Sequence, residues 1–371
     1  MERYIIKKGK KLRYGYTTGT CAAAAAKAAT KMLYLQEKIN NITINTPKGW
    51  NLTLDIKDIE IKKDCVSCCV IKDSGDDSDV TDGIKIYAKA ERKNDKGIEI
   101  TGGIGIGKVT KPGLSVPVGK PAINPVPMKM IKEEVKKVLH KDRGVTITIY
   151  APEGVKIAEK TFNPNLGIIG GISIIGTTGI VEPMSEEAFK DSLALELSIL
   201  KEEGVNKAIF APGNYGRDFA KKISLKEDYV VKTSNFIGFM LEKAVEYGIE
   251  ETLWIGHIGK LVKVAGGIFN THSKVADGRM EILAAYYGLM SNSKELIGKI
   301  LECKTTEEAV GYILNENNKD VFKYIAERVS KRCENRVKNK LKVGTLLFSN
   351  QYGILGICPY GKKLLEEFKN E

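Results

Sequence analysis

Short runs in which hydrophobic and polar residues alternate dominate the first half of the chain and predict β-strands. They occupy residues 42–45, 51–56, 66–71, 84–91 and 145–150, with turn signals such as Pro-Lys-Gly at 47–49 and Asp-Gly at 82–83 between them. Two other segments favour helices: the Ala-rich residues 21–32, and residues 126–139, where apolar side chains recur at helical spacing. The first half is therefore predicted to be a mostly antiparallel sheet with few helices.

The second half alternates between short apolar runs and helical periodicity. Predicted strands cover residues 168–175, 208–211, 229–232 and 253–255, and predicted helices cover residues 185–201, 215–223, 236–247 and 258–265. Such alternation indicates a parallel sheet with right-handed crossovers. A helix over 280–290, a helical pattern to about residue 340, a strand pair at 343–348 and 354–358, and a closing helix complete the chain.

The Pro-, Asn- and Gly-rich segment 161–167 is the predicted domain boundary. A chain of 371 residues is long enough for two domains, because single cores stop growing beyond about 250 residues. We predict an α+β domain with an Ala-rich first helix over residues 1–163. A Rossmann-like α/β domain, with a parallel sheet and a helical C-terminal extension, is predicted over residues 164–371.

Glycine and small polar residues follow each of the predicted parallel strands. The segments are Gly176-Thr177-Thr178-Gly179, Pro212-Gly213-Asn214-Tyr215, Thr233-Ser234-Asn235 and Gly256-His257-Ile258-Gly259-Lys260. Open parallel sheets bind ligands at the carboxyl ends of their strands, so these segments together predict a ligand-binding mouth. Turns and helix caps use the same residue types, and each segment taken singly fits that interpretation too. The long polar loop 266–279 follows and contains His272.

A second hydroxyl-rich segment lies near the start of the chain. Gly15-Tyr16-Thr17-Thr18-Gly19-Thr20 runs directly into the Ala-rich predicted helix. Because helix N-termini bind anions, this segment and the one at 176–179 are both candidates for an anionic ligand or cofactor.

Net charge favours an anionic partner. The formal charge is +12, from 58 Lys and Arg against 46 Asp and Glu. The basic residues are dispersed in short clusters, at 7–13, 136–143 and 331–342, without a nucleic-acid-binding motif, so we expect no nucleic-acid partner. A small polyanion would be attracted equally well.

The start of the chain and its cysteines predict a cytoplasmic protein without a membrane span. Residues 1–13 are basic but contain no apolar signal core, and the uncharged stretch 166–181 is Gly-rich and too short for a spanning helix, so a buried strand is expected there. Seven cysteines, an odd number, fit reduced thiols. Cys65 and Cys68 would point to opposite faces of a strand, so no metal site is predicted.

Five aspartates crowd one loop of this basic chain. They are Asp73, Asp76, Asp77, Asp79 and Asp82. The spacing does not match a calcium-binding EF-hand loop. A solvated Asp-Gly hairpin is the leading interpretation, and a site for a cation or a ribose is the alternative.

Several motifs resemble the cobalt-precorrin-5B C1-methyltransferase family of anaerobic cobalamin synthesis, over nearly the whole chain. They are Thr17-Thr18-Gly19-Thr20-Cys21-Ala22-Ala23-Ala24, Val109-Thr110-Lys111-Pro112-Gly113-Leu114, Ala122-Ile123-Asn124-Pro125-Val126-Pro127, Thr271-His272-Ser273 and the segment from Gly171 to Ser185. The last is the most specific, since it reads Gly-Ile-Ser-Ile-Ile-Gly-Thr-Thr-Gly-Ile-Val-Glu-Pro-Met-Ser.

The resemblance implies transfer of a methyl group from S-adenosylmethionine to ring carbon C1 of cobalt-precorrin-5B, giving cobalt-precorrin-6A. Cobalt enters only as part of this polycarboxylate corrinoid substrate. The sulfonium of the donor is already activated and the attacking carbon belongs to the substrate, so catalysis is expected to rest on positioning, which can supply about 7–11 kcal/mol of the barrier. A homo-oligomer is possible.

The resemblance and the loop ends together predict site residues. For the methyl donor we expect Gly176, Thr177, Thr178 and Gly179, with Asn235 and Gly256 nearby. For the substrate, charge-assisted bonds to its carboxylates are expected from Lys111, Arg217, Lys260, Lys274 and Arg279, together with Thr17 and Thr18. His257, and after it His272, is the expected proton acceptor or polar orienting group.

Two other function classes stay open from the sequence. One is a phosphate-transferring enzyme that uses residues 17–20 as an anion cradle, although no P-loop lysine motif is present. The other is a non-enzymatic nucleic-acid binder that relies on net charge, for which the Gly/Thr/Asn loop ends would have no role.

Overall fold

The computed structural model describes residues 3–7, 9–291 and 293–370. The chain folds into two compact units, Met1–Glu187 (unit 1) and Ala188–Glu371 (unit 2). The division lies further along the chain than the boundary predicted after residue 163. The reason is that the short strands between residues 168 and 181 pair with strands of the N-terminal half.

Unit 1 is built mainly from strands. In chain order its elements are β1 (Tyr4–Lys7), β2 (Lys10–Arg13), β3 (Gly15–Tyr16), α1 (Thr18–Leu35), β4 (Asn41–Asn45), β5 (Asn51–Asp55), β6 (Lys57–Lys62), β7 (Cys65–Ile71), β8 (Lys85–Lys93), β9 (Gly97–Gly102), β10 (Gly105–Ile106), β11 (Lys108–Val109), α2 (Pro125–Lys136), β12 (Gly144–Tyr150), α3 (Gly154–Ala158), β13 (Ile168–Ile169), β14 (Gly171–Ile172) and β15 (Ile180–Val181).

The main sheet of unit 1 has the order β6-β7-β8-β12-β9 and is antiparallel except for the β12–β9 pair, so the predicted mostly antiparallel sheet is confirmed. Helix α1 packs against this sheet and α2. Its alanines at 22–26, 28 and 29 are fully buried, because their small side chains let the helix backbone approach the strands closely. The sequence did not predict β6 and β9, which are edge strands with little burial and hence a weak hydrophobic alternation.

The prediction of one continuous strand over residues 168–175 is wrong. The segment holds only the two-residue strands β13 and β14, and β15 follows after the loop 176–179. Gly176 adopts a φ of +133°, and a Cβ built there would lie 2.2 Å from the Thr17 hydroxyl oxygen. A residue in that conformation cannot continue a pleated strand, so the apolar run turns back onto the start of α1.

Unit 2 alternates helices and strands as predicted. Its elements are α4 (Glu186–Glu202), which begins just before the boundary, β16 (Lys207–Ala211), α5 (Asn214–Lys222), β17 (Val230–Lys232), α6 (Ile237–Glu246), β18 (Glu251–His257), α7 (Ile258–Ala265), α8 (Arg279–Gly288), α9 (Lys294–Glu302), α10 (Thr306–Asn315), α11 (Asp320–Arg336), β19 (Lys342–Ser349), β20 (Gly353–Ile357) and α12 (Pro359–Asn370).

The sheet of unit 2 has the order β17-β16-β18-β19-β20, with the first four strands parallel and β20 antiparallel. Alternate strand residues face separate cores, since Phe210 and Trp254 pack on one face while Ile209 and Ile255 pack on the other. Helix α7 belongs to the first core, and α5 and α12 belong to the second. Unit 2 is therefore a mixed α/β structure with helices on both faces of its sheet. Within the described residues, none of the helices has the length and apolar character needed to cross a membrane.

Candidate functional site

The strand order of unit 2 creates a topological switch point between β16 and β18. Helix α5, which follows β16, packs on one face of the sheet, whereas α7, which follows β18, packs on the other. The two connections therefore diverge at the carboxyl edge, and ligands of open α/β sheets bind at such a point. We call the residues gathered here, Gly213, Asn235 and Lys260, the switch-point site.

Lys260 lies across the end of β16. Its Nζ donates a hydrogen bond of 2.8 Å to Asn235 Oδ1, and a Cβ built on Gly213 would lie 3.0 Å from the same Nζ. Gly213 also has a φ of +82°, so both its conformation and the space beside it favour glycine. Within the described residues the side-chain partner of Lys260 is Asn235, and no carboxylate pairs with it. Burial lowers the pKa of this ammonium, and the charges of Lys232 and Lys263 lower it further.

The loop 266–279 is fixed to α7 by Lys263. This side chain is buried, and its Nζ donates to the carbonyl oxygens of Ala276 (2.8 Å) and Thr271 (3.3 Å). Thr271 Oγ1 in turn donates to Asn235 Oδ1 at 3.3 Å. The loop thus reaches the switch-point site through Thr271.

His257 has partners at both ring nitrogens. Gly259 N–H donates to its Nδ1 at 3.1 Å, which makes His257 the N-cap of α7. With Nδ1 as an acceptor, the ring proton lies on Nε2 and is donated to Glu307 Oε1 at 2.7 Å. The imidazole therefore has no free lone pair for a proton. This geometry favours the orienting role predicted for His257 over the role of proton acceptor.

His272 lies on the exposed part of the loop. Its Nδ1 accepts a hydrogen bond of 3.0 Å from Lys274 N–H, so its neutral ring offers only the Nε2 proton to a ligand. Arg279 is held by Asp277 through bonds of 2.8 and 2.7 Å, and this contact lowers the pKa of Asp277 to about 2. Arg279 is therefore less available to the substrate than predicted, whereas Lys274 is exposed.

Gly256 lies inside β18 and is buried. A Cβ there would meet Leu261 at 2.6 Å, so the structure gives this glycine a packing role.

Arg217, in α5, lies close enough to Glu196 to influence that carboxyl group electrostatically. Burial raises the pKa of Glu196 in spite of the hydrogen bond from Lys232 N–H (2.8 Å) and the charges of Arg217 and Lys232.

The two hydroxyl-rich loops meet within unit 1. Gly19 N–H donates to Ile175 O (3.0 Å), Thr17 N–H donates to Gly179 O (3.2 Å), and the Thr20 hydroxyl donates to the same carbonyl (2.6 Å). The Thr18 hydroxyl accepts from Ile175 N–H at 2.9 Å. The loop 176–179 therefore belongs to unit 1 and not to the carboxyl edge of the parallel sheet, which corrects the prediction of a mouth with four members.

The same contacts correct the interpretation of residues 17–20 as an anion cradle. The first-turn amide of Gly19 is satisfied by a protein carbonyl, and that of Thr20 by the Thr17 hydroxyl at 3.3 Å. Thr17 and Thr18 are 9% and 3% exposed, so neither presents its hydroxyl to a ligand. In the facing loop, Thr177 and Thr178 are exposed, and the Thr178 hydroxyl bonds within its own turn to Ile180. Their contact with a methyl donor stays a prediction, as does contact of Lys111 with the substrate.

The acidic loop of unit 1 is a structural clamp rather than a solvated hairpin. Asp73 holds Arg13 through two bonds of 2.5 and 2.7 Å, and this pairing lowers the pKa of Asp73. Asp79 pairs with Lys72 Nζ at 2.7 Å, and Lys72 is only 2% exposed. The three other carboxylates accept backbone N–H bonds: Asp76 from Arg13, Asp77 from Met184 and Asp82 from Ser74. Within the described residues no group of His, Cys, Asp and Glu side chains is arranged to hold a metal.

The basic cluster at 136–143 lines a cleft of about 610 Å³ in unit 1. The lining residues are Lys93, Lys96, Gly97, Ile98, Lys132, Lys136, Leu139, His140, Lys141 and Arg143. Two of the lysines are paired, Lys93 with Glu99 and Lys96 with Asp142. The lining also includes Lys132, Lys136, Lys141 and Arg143, so the cleft is positively charged.

Sequence reasoning missed Glu307, Lys263 and Glu196. Each lies on a helix with ordinary amphipathic periodicity, where an acidic or basic residue indicates only a solvated face. The Thr-x-x-Glu spacing of Thr305 and Glu308, which predicts a helix start, was the available local signal near Glu307.

Family models match both ends of the chain. One, described as CbiD, matches residues 5–183, and another, described as CbiD, C-terminal domain, matches residues 270–359. The first match lies wholly within unit 1. A crystal structure of a cobalamin biosynthesis protein (cbiD) from Archaeoglobus fulgidus is 28% identical, with a TM-score of 0.40, and the match covers 74% of this chain and 87% of that one.

Curated relatives match over essentially their full length. A cobalt-precorrin-5B C(1)-methyltransferase from Alkaliphilus metalliredigens is 54% identical over 100% of this chain and 99% of its own. Relatives of the same name from a Thermoanaerobacter species and from Clostridioides difficile are 58% and 46% identical, over 98% and 99% of this chain and 100% of their own. The chain therefore belongs to the cobalt-precorrin-5B C(1)-methyltransferase family.

Proposed function

We propose that this protein transfers a methyl group from S-adenosylmethionine to ring carbon C1 of cobalt-precorrin-5B. We also propose that the switch-point site of unit 2 binds the methyl donor, as the carboxyl edge of the sheet does in a Rossmann-like domain. Membership of the family supports the reaction. The placement of the donor rests on Lys260, a partly buried ammonium whose partner is the neutral amide of Asn235. An unpaired charge in such a place is costly unless an anionic group joins it.

The donor fits this site because it carries a carboxylate. That group would find the ammonium of Lys260 and the positive N-terminal ends of α5 and α7, which begin at Asn214 and Ile258. The missing side chain of Gly213 leaves space beside the ammonium. When bound, S-adenosylmethionine supplies an electrophilic methyl group, and the residues of the site bind and orient it.

No side chain of the switch-point site is required to attack the substrate. The imidazole of His257 has both nitrogens occupied, so its role is to fix the start of α7. Exposed cations of unit 2, Lys274 among them, are available for substrate carboxylates, with Arg217 beside the switch point. Cobalt comes with the substrate.

We also propose a cytoplasmic location, which the free thiols of the cysteines support.

The reaction can be tested by following label from S-adenosylmethionine carrying a labelled methyl group into cobalt-precorrin-5B. We expect the wild-type protein to form a product labelled at C1. Absence of label in the corrinoid, with protein shown to be folded by circular dichroism, would contradict the proposed activity.

Asn235→Ala is expected to weaken the binding of S-adenosylmethionine about tenfold, as measured by calorimetry, because Lys260 and Thr271 lose the shared acceptor that holds both side chains in position at the site. Thr178→Val tests the alternative placement of the donor in unit 1, which the sequence predicts, and it removes one hydroxyl whose bonds lie within its own turn. Its affinity should stay close to that of the wild type. The opposite result, loss with Thr178→Val and no loss with Asn235→Ala, would move the donor to unit 1.

A further inference from the structure

Glu307 joins the ends of two neighbouring parallel strands of unit 2. It lies in the first turn of α10, and its Oε1 accepts from His257 Nε2–H, at the end of β18, and from Asn350 N–H (3.2 Å), just beyond β19. Its Oε2 accepts from the hydroxyl of Ser349, the last residue of β19. The carboxylate therefore has donors at both oxygens.

The charged form of Glu307 is favoured by this arrangement. Burial opposes ionisation, but the bonds from Ser349, His257 and Asn350 outweigh it, so the pKa of the carboxyl group is lowered. The hydroxyl of Ser349 also accepts from Gln351 N–H (3.1 Å) and Tyr352 N–H (3.0 Å), which leaves its proton for Glu307. Each residue of this hydrogen-bond network thus has a single, consistent set of donor and acceptor roles.

These hydrogen bonds connect Glu307 to the switch-point site through His257. Because His257 donates the hydrogen bond to Glu307 from Nε2–H, its Nδ1 is left as the acceptor for Gly259 N–H. Lys260 is the next residue, in the same first turn of α7, and its ammonium lies against Asn235. The carboxylate of Glu307 and the ammonium of Lys260 are linked through one imidazole and one turn of helix.

We propose that Glu307 is a positioning residue for the methyl-donor site: it fixes the tautomer and orientation of His257, and through the cap of α7 it sets the position of Lys260. In this role Glu307 acts through His257. The inference rests on the proposed function where the readout is the affinity for S-adenosylmethionine. A second readout, the tautomer of His257, does not depend on the identity of the ligand.

The test compares Glu307→Ala, Glu307→Gln and Glu308→Ala in the full-length protein. In Glu307→Ala the imidazole loses its acceptor, and only the bond from Gly259 N–H to Nδ1 still favours the Nε2–H form. Nitrogen-15 NMR of the His257 ring should therefore show a measurable share of the Nδ1–H tautomer, which the wild-type protein lacks. The affinity for S-adenosylmethionine should fall about tenfold. Glu307→Gln keeps an acceptor oxygen for Nε2–H and should restore most of both properties.

Glu308→Ala is the matched control. It removes a neighbouring carboxylate of the same helix turn, which bonds to Lys304 N–H and not to His257. If Glu307→Ala and Glu308→Ala lose the same affinity for S-adenosylmethionine, the loss reflects general destabilisation of the protein, and the proposal is overturned. A wild-type tautomer and affinity in Glu307→Ala would overturn it too. If the wild-type protein does not bind S-adenosylmethionine at all, the proposed function fails, while the NMR comparison still decides whether Glu307 positions His257.

Discussion

Replacing Asp79 with alanine is expected to lower the free energy of unfolding of unit 1 by about 3 to 5 kcal/mol, because it leaves a buried lysine without its counter-ion. Lys72 is 2% exposed, and its ammonium bonds to Asp79 Oδ2 at 2.7 Å and to the Ser74 hydroxyl. Asp79 also accepts from the backbone and the hydroxyl of Thr81, at 2.8 and 2.7 Å. Hydrogen exchange of the backbone amides of β7 and β8 would measure the change.

Asp55→Ala provides the surface comparison for this experiment. Its pair with Lys57 is 3.8 Å long and both side chains are more than half exposed, so the loss should stay below about 1 kcal/mol. Equal losses for Asp79→Ala and Asp55→Ala would refute the assignment of the acidic loop as a structural clamp.

The pH dependence of the Asp79 effect has a definite sign. Burial raises the pKa of Asp79, but the charge and hydrogen bond of Lys72 and the bonds of Thr81 outweigh it, and the pKa is lowered overall. A carboxylate with a lowered pKa contributes its full stability above the unfolded value of about 3.9 and loses it as the pH falls through the folded value. The difference between wild type and Asp79→Ala should therefore be largest near neutral pH and shrink below about pH 4.

Replacing Lys260 with methionine is expected to weaken S-adenosylmethionine binding between about tenfold and about a hundredfold, as measured by calorimetry, because a charge-assisted hydrogen bond to the carboxylate of the donor is lost. Methionine keeps an unbranched stem of similar length and removes the charge. Lys222→Met, at the exposed end of α5, removes one positive charge away from the switch point and should bind as the wild type does. Equal weakening in both variants would indicate a general electrostatic effect instead of a contact.

Rising pH should reveal the same contact. The pKa of Lys260 is lowered by burial and then by Lys232 and Lys263, so this ammonium loses its proton before an ordinary lysine does. Its contribution to affinity is present below the lowered pKa and disappears as the pH rises through it. The advantage of wild type over Lys260→Met should accordingly diminish at a pH below the usual lysine value of about 10.4. An advantage that stays constant up to that value would contradict the assignment.

Local periodicity was sufficient for most of unit 2. Helix α7 begins and ends at the predicted residues, and the strands β16, β17 and β18 contain or overlap the predicted runs. These elements can be predicted because the spacing of apolar residues depends only on which face of a helix or strand is buried, and that spacing repeats within a few residues. Where an edge strand carries charges on most positions, as β6 does, the pattern fades and the strand was missed.

The uncharged run 166–181 shows the limit of that reasoning. Its hydrophobicity indicates burial but not conformation, and burial is common to a long strand and to short pieces folded against α1. The choice was made by contacts with residues more than 150 positions away, such as the bond between the Thr20 hydroxyl and Gly179 O. The placement of the loop 176–179 in unit 1 follows from those contacts.

The sequence by itself determined the alternation of strands and helices, the polar loop ends and the family resemblance, because each is encoded in neighbouring residues. The tertiary structure decided which loop ends meet. Strand order brings Asn235 and Lys260 together over the end of β16, and packing places Glu307 on a histidine 50 positions earlier in the chain. Such pairs leave no trace in local spacing, since their geometry depends on how distant elements pack.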